Sequence, residues 1–209
     1  MPLQKHKQES IERILESAEI LFSEKGYEGT SISAIAKFAE VSKANIYHHF
    51  ESKESLYISV LKSACEDFND VINGLVSDNQ SLQERLGNFA STHIADLQKR
   101  NRGTRLILRE LIEGNQNRQR LFAENVASDH FKHLLEAIRD SQTAGEVRQD
   151  VDPAVVATLL IGANIFFFMA KDTLKHLKGF TLSENPTGFG QAIANAITHG
   201  IAQQPNNKG

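Results

Sequence analysis

The 209-residue sequence contains a single cysteine, Cys65, and therefore cannot form an intramolecular disulfide. It also has no N-terminal stretch typical of a secretory signal peptide, and the two absences together favour a reducing compartment, with the cytoplasm as the default. No run alternates apolar and polar residues for long enough to predict a β-strand. We therefore predict an all-α fold, and the hydrophobic content of 40% is enough for a packed core.

An excess of positive charge is missing as well, which is uncommon in a protein that binds nucleic acid. Lys and Arg number 23 against 26 Asp and Glu, and residues 1–60 hold seven basic against nine acidic side chains. DNA binding would thus depend on where the basic residues lie, not on their number. Most of these acids fall in the first predicted helix, whereas five lysines could line one surface: Lys5, Lys7, Lys37, Lys43 and Lys53.

Residue sets that indicate catalysis or metal binding are also lacking. No Ser-His-Asp set or pair of carboxylates can be argued from spacing. Gly188-Phe189-Gly190 lacks the third glycine and the preceding strand of a dinucleotide-binding fingerprint. Asp129, His130 and His133 could face a metal from one side of a helix, but no second cluster completes such a site. We therefore predict no enzymatic activity, no cofactor and no bound metal.

The most informative stretch of the sequence is Thr30–Glu54, in which a tight turn separates two short amphipathic helices. Either of its first two residues can cap the first helix, and Ser42 can cap a second helix whose inner side is Ile46 and Phe50. This pattern is typical of a helix-turn-helix. The outward side of the second helix then presents side chains suited to DNA, namely Lys43, Ala44, Asn45, Tyr47, His48 and His49.

Individual contacts to DNA can be assigned to these side chains as hypotheses. We expect base contacts from Lys43, Asn45 and His49, since cationic and amide groups can bond base edges. The other predicted contacts are to phosphates, by Ser31, Tyr47, His48 and Lys53, or lie close to the groove, as for Ser33 and Ala44. Lys53 would begin the next helix, where its ammonium and the first amide groups can bind the same phosphate.

This stretch resembles the DNA-binding signature of the TetR family of transcriptional regulators. The resemblance lies in Ile35-Ala36, Val41-Ser42-Lys43, Ile46-Tyr47-His48-His49-Phe50 and Ser52-Lys53-Glu54, and it covers the first quarter of the chain strongly. It implies an all-helical homodimer with an amino-terminal DNA-binding head and a larger body that binds a ligand. Glu40 departs from the family pattern, which has glycine before the turn valine, so Glu40 must be strained or the turn must differ.

Breaker residues divide the rest of the chain into further helices, about nine in all. We predict a helix-turn-helix domain at residues 1–52, a ligand-binding and dimerisation domain at 53–204, and a disordered tail at 205–209. Outside the helix-turn-helix, the predicted helices span about 8–25, 53–73, 82–97, 104–113, 118–143, 154–170 and 187–203.

Residues 154–170 are almost entirely apolar, and their number approaches the lower limit for a membrane span. We predict no membrane span, because Thr158, Gly162 and Asn164 interrupt the run and its flanks show no basic asymmetry. In a soluble protein, a helix that is apolar on nearly all sides is buried between its own core and a partner. We therefore predict that the last two helices form a four-helix interface in a homodimer.

The body contains more large apolar side chains than thin helical layers need. We predict that it binds a mostly apolar small molecule through Phe68, Phe89, His93, Ile94, Leu108, Ile112, Phe122, Val126, Phe131, Asn164 and Phe167. A tightly packed core is the alternative explanation of the same pattern.

The predicted function is sequence-specific transcriptional regulation by a repressor that binds a palindromic double-stranded DNA operator as a homodimer and is released by its effector. Two alternatives stay open. The protein could bind DNA constitutively or under the control of a protein partner, and an internal pocket would argue against this alternative. It could also be an all-helical enzyme or carrier that only mimics the head, which failure to bind DNA at low salt would favour.

Overall fold

The computed structural model describes residues 2–75, 80–182 and 184–201, except for the side chains of residues 2–6 and 201. Within these ranges the chain is mainly helical and contains no β-strand. The all-α prediction is therefore confirmed. The predicted tail at 205–209 and the side chain of Lys5 lie outside the described residues.

The α-helices of the described residues are α1 (Pro2–Lys25), α2 (Ile32–Phe38), α3 (Lys43–His49), α4 (Lys53–Ala64), α5 (Phe68–Asn73), α6 (Leu82–Lys99), α7 (Asn101–Glu113), α8 (Gln116–Phe122), α9 (Ser128–Thr143), α10 (Pro153–Leu174) and α11 (Pro186–Ile201). Each of the nine predicted helices is present, but two are subdivided. The helix predicted at 53–73 is interrupted at residues 65–67. The one predicted at 118–143 contains a π-helical turn, Ala123–Ala127, between α8 and α9.

Serine side chains fix the starts of the three helices that form and follow the helix-turn-helix. Ser31, Ser42 and Ser52 each accept a hydrogen bond from the backbone N–H three residues later. These bonds satisfy amide groups that have no partner within the first helical turn. The cap predicted at Ser42 is confirmed, the first helix is capped by Ser31, and Ser52 caps the helix that Lys53 begins.

The helices form two compact units. The first comprises the chain up to Glu66 together with Arg100–Ser128, and the second comprises Asp67–Lys99 together with the chain from Asp129 onward. Helices α7 and α8 therefore belong to the same unit as the helix-turn-helix. The domain boundaries at residues 52 and 204 remain predictions.

The core of the first unit forms around α1, which packs against α2, α4 and α7. Its fully buried side chains come from α1, α2, α3 and α4, and they include Ile14, Ala18, Phe22, Ile35, Ile46, Leu56 and Leu61. Those on α1 recur at helical spacing, as the sequence pattern predicts. Burial of Ile46 in this core sets the rotation of α3.

The second unit is built around α6, which packs closely against α11 and also contacts α10. The close approach requires a residue without a side chain at Gly190, because a Cβ atom there would lie 2.8 Å from the backbone nitrogen of Ser91. Leu86, Phe89, Leu134, Leu160 and Ala194 are among the buried residues of this unit.

Helix α10 has two unlike sides. Among the described residues it is the one helix long and apolar enough to cross a membrane by length and composition, and 33% of its most apolar segment is buried. The buried side includes Val156, Leu160 and Phe167. The opposite side leaves further apolar residues exposed, at Val155, Leu159, Phe166 and Met169.

Candidate nucleic-acid interface

The turn between α2 and α3 closes through a residue in the left-handed conformation. Glu40 has a φ of +54°, and it is the one non-glycine residue with positive φ in the described part of the chain. The N–H of Val41 then donates to the carbonyl oxygen of Ala36 at 3.0 Å. The first of the two outcomes expected for Glu40, a strained residue in a position that favours glycine, is therefore observed.

Helix α3 buries one side and exposes the other. Ile46 is fully buried, and Phe50, which ends the helix, is also in the core. Four of the six residues predicted to face outward lie on the exposed side, which is formed by Lys43, Ala44, Tyr47 and His48. These positions follow one another at helical spacing and share one side of the helix. That side carries a cation, a small residue, a phenol and an imidazole within about one and a half turns.

The other two predicted residues, Asn45 and His49, lie at the margin where α3 meets α1. The hydroxyl of Ser10 donates to the Asn45 side-chain oxygen at 2.9 Å, so this oxygen is engaged within the protein. A bidentate contact to adenine would require that oxygen as well as the amide nitrogen. Asn45 would therefore have to share this oxygen, which has two lone pairs, between Ser10 and the base.

The margin of α3 also lies near a cation of α1. Partial burial lowers the pKa of His49, and the charges of His48 and Lys7 lower it further. These causes disfavour the protonated form of His49, which is half-buried, whereas Lys7 is exposed. Lys7 is thus a candidate phosphate contact beside the exposed side of α3.

Helix α2 contributes a second exposed row next to α3. Ser31 and Ser33 are exposed at its first turn, and Lys37 is exposed one turn after Ser33. Ser31 already caps the helix through its side-chain oxygen, so its hydroxyl hydrogen remains available as a donor. Phe38, which the sequence analysis did not single out, is 54% exposed at the end of this helix.

Three acidic residues of the head lie on another side of α1. Glu9, Glu12 and Glu16 line a shallow groove together with Arg13. On a helix these positions point away from Ser10, the residue that contacts α3. These three acids are therefore turned away from the side of α1 that meets α3, although residues 1–60 carry no net positive charge.

A buried polar network, which the sequence analysis did not predict, holds the start of α4. The Nζ atom of Lys53 lies 4.2 Å from the ring centroid of Tyr27, and the guanidinium carbon of Arg118 lies 4.4 Å from the same centroid. Arg118 Nε donates to Glu110 Oε2 at 3.3 Å, and the Tyr57 hydroxyl donates to that oxygen at 2.9 Å. No sequence spacing connects these residues, because they come from four segments that meet only in the folded unit.

The residues predicted to bind a ligand are divided between the two units. Leu108, Phe122 and Val126 are buried in the first unit, where Ile112 is 69% exposed. The remaining seven, Phe68, Phe89, His93, Ile94, Phe131, Asn164 and Phe167, belong to the second unit. Within the second unit, Ile94 and Phe167 share one apolar cluster, and Phe131 is exposed.

His93 and Asn164 form a buried polar pair in the second unit. The Asn164 amide nitrogen donates to Ala90 O at 3.2 Å and to His93 Nδ1 at 3.1 Å, while its side-chain oxygen has no hydrogen-bond partner. Burial lowers the pKa of His93 to about 4, so the ring is neutral at pH 7. The rings of Phe68 and Phe89 lie 5.0 and 5.7 Å from that of His93.

A small cavity of the second unit lies among other residues. It is lined by Leu75, Leu82, Arg85, Leu86, Ala137, Ile138, Ser141, Val147 and Val156, and it includes none of the eleven predicted ligand contacts. Those contacts therefore stay a prediction. His130 and His133 both bond to the side-chain oxygen of Asn69. No group of three His, Cys, Asp or Glu residues in the described ranges is arranged to hold a metal ion.

Residues 14–60, which contain the helix-turn-helix, match the family described as bacterial regulatory proteins, tetR family. IcaR of Staphylococcus aureus (strain Newman), the negative transcriptional regulator of the biofilm operon icaADBC, is 36% identical over 91 residues, which are 43% of this chain and 48% of IcaR. The chain thus spans about half the length of this relative. The transcriptional regulator UidR of Escherichia coli (strain K12) is 28% identical over 166 residues, covering 76% of this chain and 80% of UidR.

The likeness extends beyond the head at the level of the fold. A TetR family transcription regulator from Marinobacter aquaeolei VT8 superposes with a TM-score of 0.70 and 17% identity, covering 96% of this chain and 100% of that one. The helix-turn-helix therefore matches in sequence, and the surrounding helices match in arrangement. Residues 14–60 thus form a helix-turn-helix domain of the tetR family of bacterial regulatory proteins, and the chain shares the fold of a TetR family regulator.

Proposed function

We propose that the protein is a DNA-binding transcriptional regulator that acts as a repressor. The observation that carries this proposal is the exposed side of α3, where Lys43, Ala44, Tyr47 and His48 stand on a helix whose rotation is fixed by Ile46. An exposed helix of this kind can enter the major groove of DNA, which is wide enough to admit it. The relatives IcaR and UidR are described as transcriptional regulators, and IcaR as a negative one.

The proposed contacts follow from the placement of each side chain. Lys43 would read a base edge, and Ala44 would contact a thymine methyl group. Tyr47, His48, Ser31 and Lys53 would bind phosphates, with Ser33 close to the groove. Asn45 and His49 would contribute from the margin beside α1, with the Asn45 oxygen shared with Ser10.

We also propose that two copies of the chain associate through α10 and α11. The exposed apolar residues Val155, Leu159, Phe166 and Met169 follow one another at intervals of four, seven and three residues, and the seven-residue interval contains the exposed Gly162. This is the spacing of a seam between packed helices. Exposed small residues on α11, Ala192, Ala196 and Gly200, would allow close approach of the helices.

A dimer of this kind would bind a palindromic operator, because the two-fold axis of the protein repeats each contact on the second half-site. In such a dimer the partner subunit would cover the exposed apolar side of α10, so this side would not need to lie in a membrane, although α10 is apolar enough to cross one. We place the protein in the cytoplasm, where a regulator of this kind meets DNA.

We further propose that a small, mostly apolar effector releases the protein from DNA. The supporting observation is the His93–Asn164 pair, in which the side-chain oxygen of Asn164 is buried without a partner and the His93 ring contacts Phe68 and Phe89. A donor on an apolar ligand could satisfy that oxygen, which is costly to bury alone.

Regulation without a small molecule is the second candidate. Burial favours it, since Phe89, Ile94 and Phe167 are at most 1% exposed to solvent. Control would then come from a protein partner, or the protein would act constitutively.

The test of DNA binding is selection of bound duplexes from the fragmented genome of the source organism, followed by sequencing. We expect enrichment of a palindromic motif with half-sites about one helical turn apart. Lys43→Ala should relax that motif at one position per half-site, and Tyr47→Ala should lower its enrichment. Lys132→Ala, which changes an exposed lysine of the second unit, should preserve it. Recovery of no common motif by the folded wild-type protein would overturn the proposal.

A further inference from the structure

A single aromatic ring in the first unit is shared by two cations from different helices. The Lys53 ammonium, at the start of α4, and the Arg118 guanidinium, on α8, both lie over the ring of Tyr27. Tyr27 is itself fixed by neighbouring rings, with Phe22 stacked at 6.0 Å and Tyr57 edge-on at 5.0 Å. The ring therefore occupies a defined place in the core, although it belongs to the short segment between α1 and α2.

The second cation of this arrangement is held by a buried carboxylate. Arg118 is 6% exposed and Glu110 is 2% exposed, and the two form an ion pair that Tyr57 joins through its hydroxyl group. A second acid, Glu28, accepts a hydrogen bond from Arg118 Nη1 at 3.3 Å. Charges buried to this extent are stable only when they remain paired, so Arg118 has little freedom to leave the Tyr27 ring.

Lys53 differs from the other proposed phosphate contacts because it is only half-exposed. A free lysine side chain loses much rotational freedom when it binds a phosphate, and that loss weakens binding. Lys53 has already lost part of this freedom through its position over the ring. Partial burial lowers the pKa of Lys53, which is the direction expected for an ammonium that has lost some of its hydration.

We propose that Tyr27 and Arg118 are positioning residues for a DNA phosphate contact made by Lys53. Arg118, anchored by Glu110, fixes the Tyr27 ring, and the ring holds the Lys53 ammonium at the start of α4 by a cation–π interaction. This inference rests on the proposed DNA-binding function. Glu110 lies on α7 and Arg118 on α8. A shift of either helix would therefore change the position of the Lys53 ammonium, and with it DNA affinity, without moving α3.

The test is a double-mutant cycle in DNA affinity, measured with a duplex that the wild-type protein has enriched from a random-sequence library. Lys53→Ala should weaken binding and reduce the slope of log affinity against log salt by about 1. Tyr27→Leu removes the ring face and should weaken binding by about fivefold, whereas Tyr27→Phe, which keeps the ring, should match the wild type. In the Lys53→Ala background, Tyr27→Leu should change affinity by less than about twofold.

A purely structural role of Tyr27 would give a different pattern. Tyr27→Leu would then weaken binding by the same factor with and without Lys53, and this result would overturn the inference. Arg118→Lys keeps the charge that pairs with Glu110 but loses the planar fork, and its effect on affinity should also vanish in the Lys53→Ala background. Circular dichroism melting of every variant confirms that the compared proteins are folded.

A spectroscopic measurement covers the case in which Tyr27→Leu does not fold. The ε-methylene protons of Lys53 should resonate upfield of those of Lys43 in the wild type, because of the ring current of Tyr27, and should move towards them in Arg118→Lys. Equal shifts for the two lysines in the wild type would overturn the inference. If the folded wild-type protein enriches no duplex at low salt, the proposed function fails instead, independently of the ring-current result.

Discussion

Glu40 adopts a backbone conformation that costs an L-amino acid roughly 1–2 kcal/mol, because its Cβ atom crowds the neighbouring carbonyl oxygen. The family pattern places glycine at this position, where the cost is absent. The departure was visible in the sequence, and the structure shows that the turn keeps its geometry and Glu40 bears the strain.

Replacement of Glu40 by glycine should therefore stabilise the first unit. We expect a gain of about 1 kcal/mol, or an increase in Tm of about 2–4 °C for a chain of this size. Glu40→Ala is the matched control, since it removes the charge but keeps a side chain at positive φ. An equal increase in Tm for both variants would assign the effect to charge and not to backbone strain.

His93 places a titratable group in the core of the second unit. Its folded-state pKa of about 4 lies below the ordinary value of 6.5, because burial disfavours the charged ring. Between these two pH values the unfolded chain binds a proton that the folded chain does not. The contribution of His93 to the free energy of unfolding is therefore fully present above pH 6.5 and is lost as the pH drops towards 4.

Protonation of His93 alone should lower the free energy of unfolding by about 3 kcal/mol between pH 7 and pH 4. His93→Leu should remove this part of the pH dependence, whereas substitution of the exposed His176 by leucine should leave it unchanged. Urea unfolding at several pH values measures both. An unchanged pH dependence in His93→Leu would show that His93 does not titrate as the structure implies.

Four of the six outward positions predicted on α3 are exposed, because burial of Ile46 and Phe50 fixes the rotation of the helix. The engagement of Asn45 by Ser10 could not be predicted, since it depends on how α1 packs across a separation of 35 residues. The same holds for Lys53. Its position could be read from the cap at Ser52, but its contact with Tyr27 requires the folded unit.

Helix α10 is the element whose sequence and structure together say most about assembly. Three consecutive phenylalanines cannot all face one core, and the structure buries Phe167 and Phe168 while leaving Phe166 59% exposed. Ile197 of α11, by contrast, is half-buried against the core of its own unit. An aspartate at Ile197 would therefore test folding, and substitutions on the exposed side of α10 are better tests of association.

Leu159→Asp and Phe166→Asp should each convert the proposed dimer to monomers, because a charge in the centre of an apolar interface is left without a partner. The exposed Ala95 of α6 provides the control, and Ala95→Asp should remain dimeric. Sedimentation velocity distinguishes the two states. A Leu159→Asp protein that still sedimented as a dimer would place the interface elsewhere.

Helix positions were largely predictable because caps, prolines and glycines mark their ends. The N-cap at Ser42 forms as expected, and Ser52 and Asp152 also cap the helices that follow them. The break at residues 65–67 and the π-helical turn Ala123–Ala127 were not predicted, since neither contains proline or glycine. Such irregularities depend on packing against other helices, which apolar spacing within one helix does not report.

For the molecule as a whole, binding of the proposed effector and binding of DNA are linked by one coupling free energy, which lowers the affinity for each ligand when the other is bound. An effector that weakens DNA affinity a hundredfold must itself bind the DNA complex a hundredfold less tightly, a difference of about 2.7 kcal/mol. Calorimetry of one effector against free and DNA-bound protein measures this difference. Equal affinities would contradict release by the effector and would favour regulation without a small molecule.

The net charge of −3 makes DNA binding the claim that most needs a direct measurement. Fluorescence anisotropy with the enriched duplex, over a series of salt concentrations, provides it. The account predicts that log affinity falls linearly with log salt, with a slope of about −0.9 for each neutralised phosphate, and that Lys43→Ala relaxes base preference at one position per half-site by about 1–3 kcal/mol. Affinity that does not change with salt, or equal binding of enriched and scrambled duplexes by the wild-type protein, would contradict it.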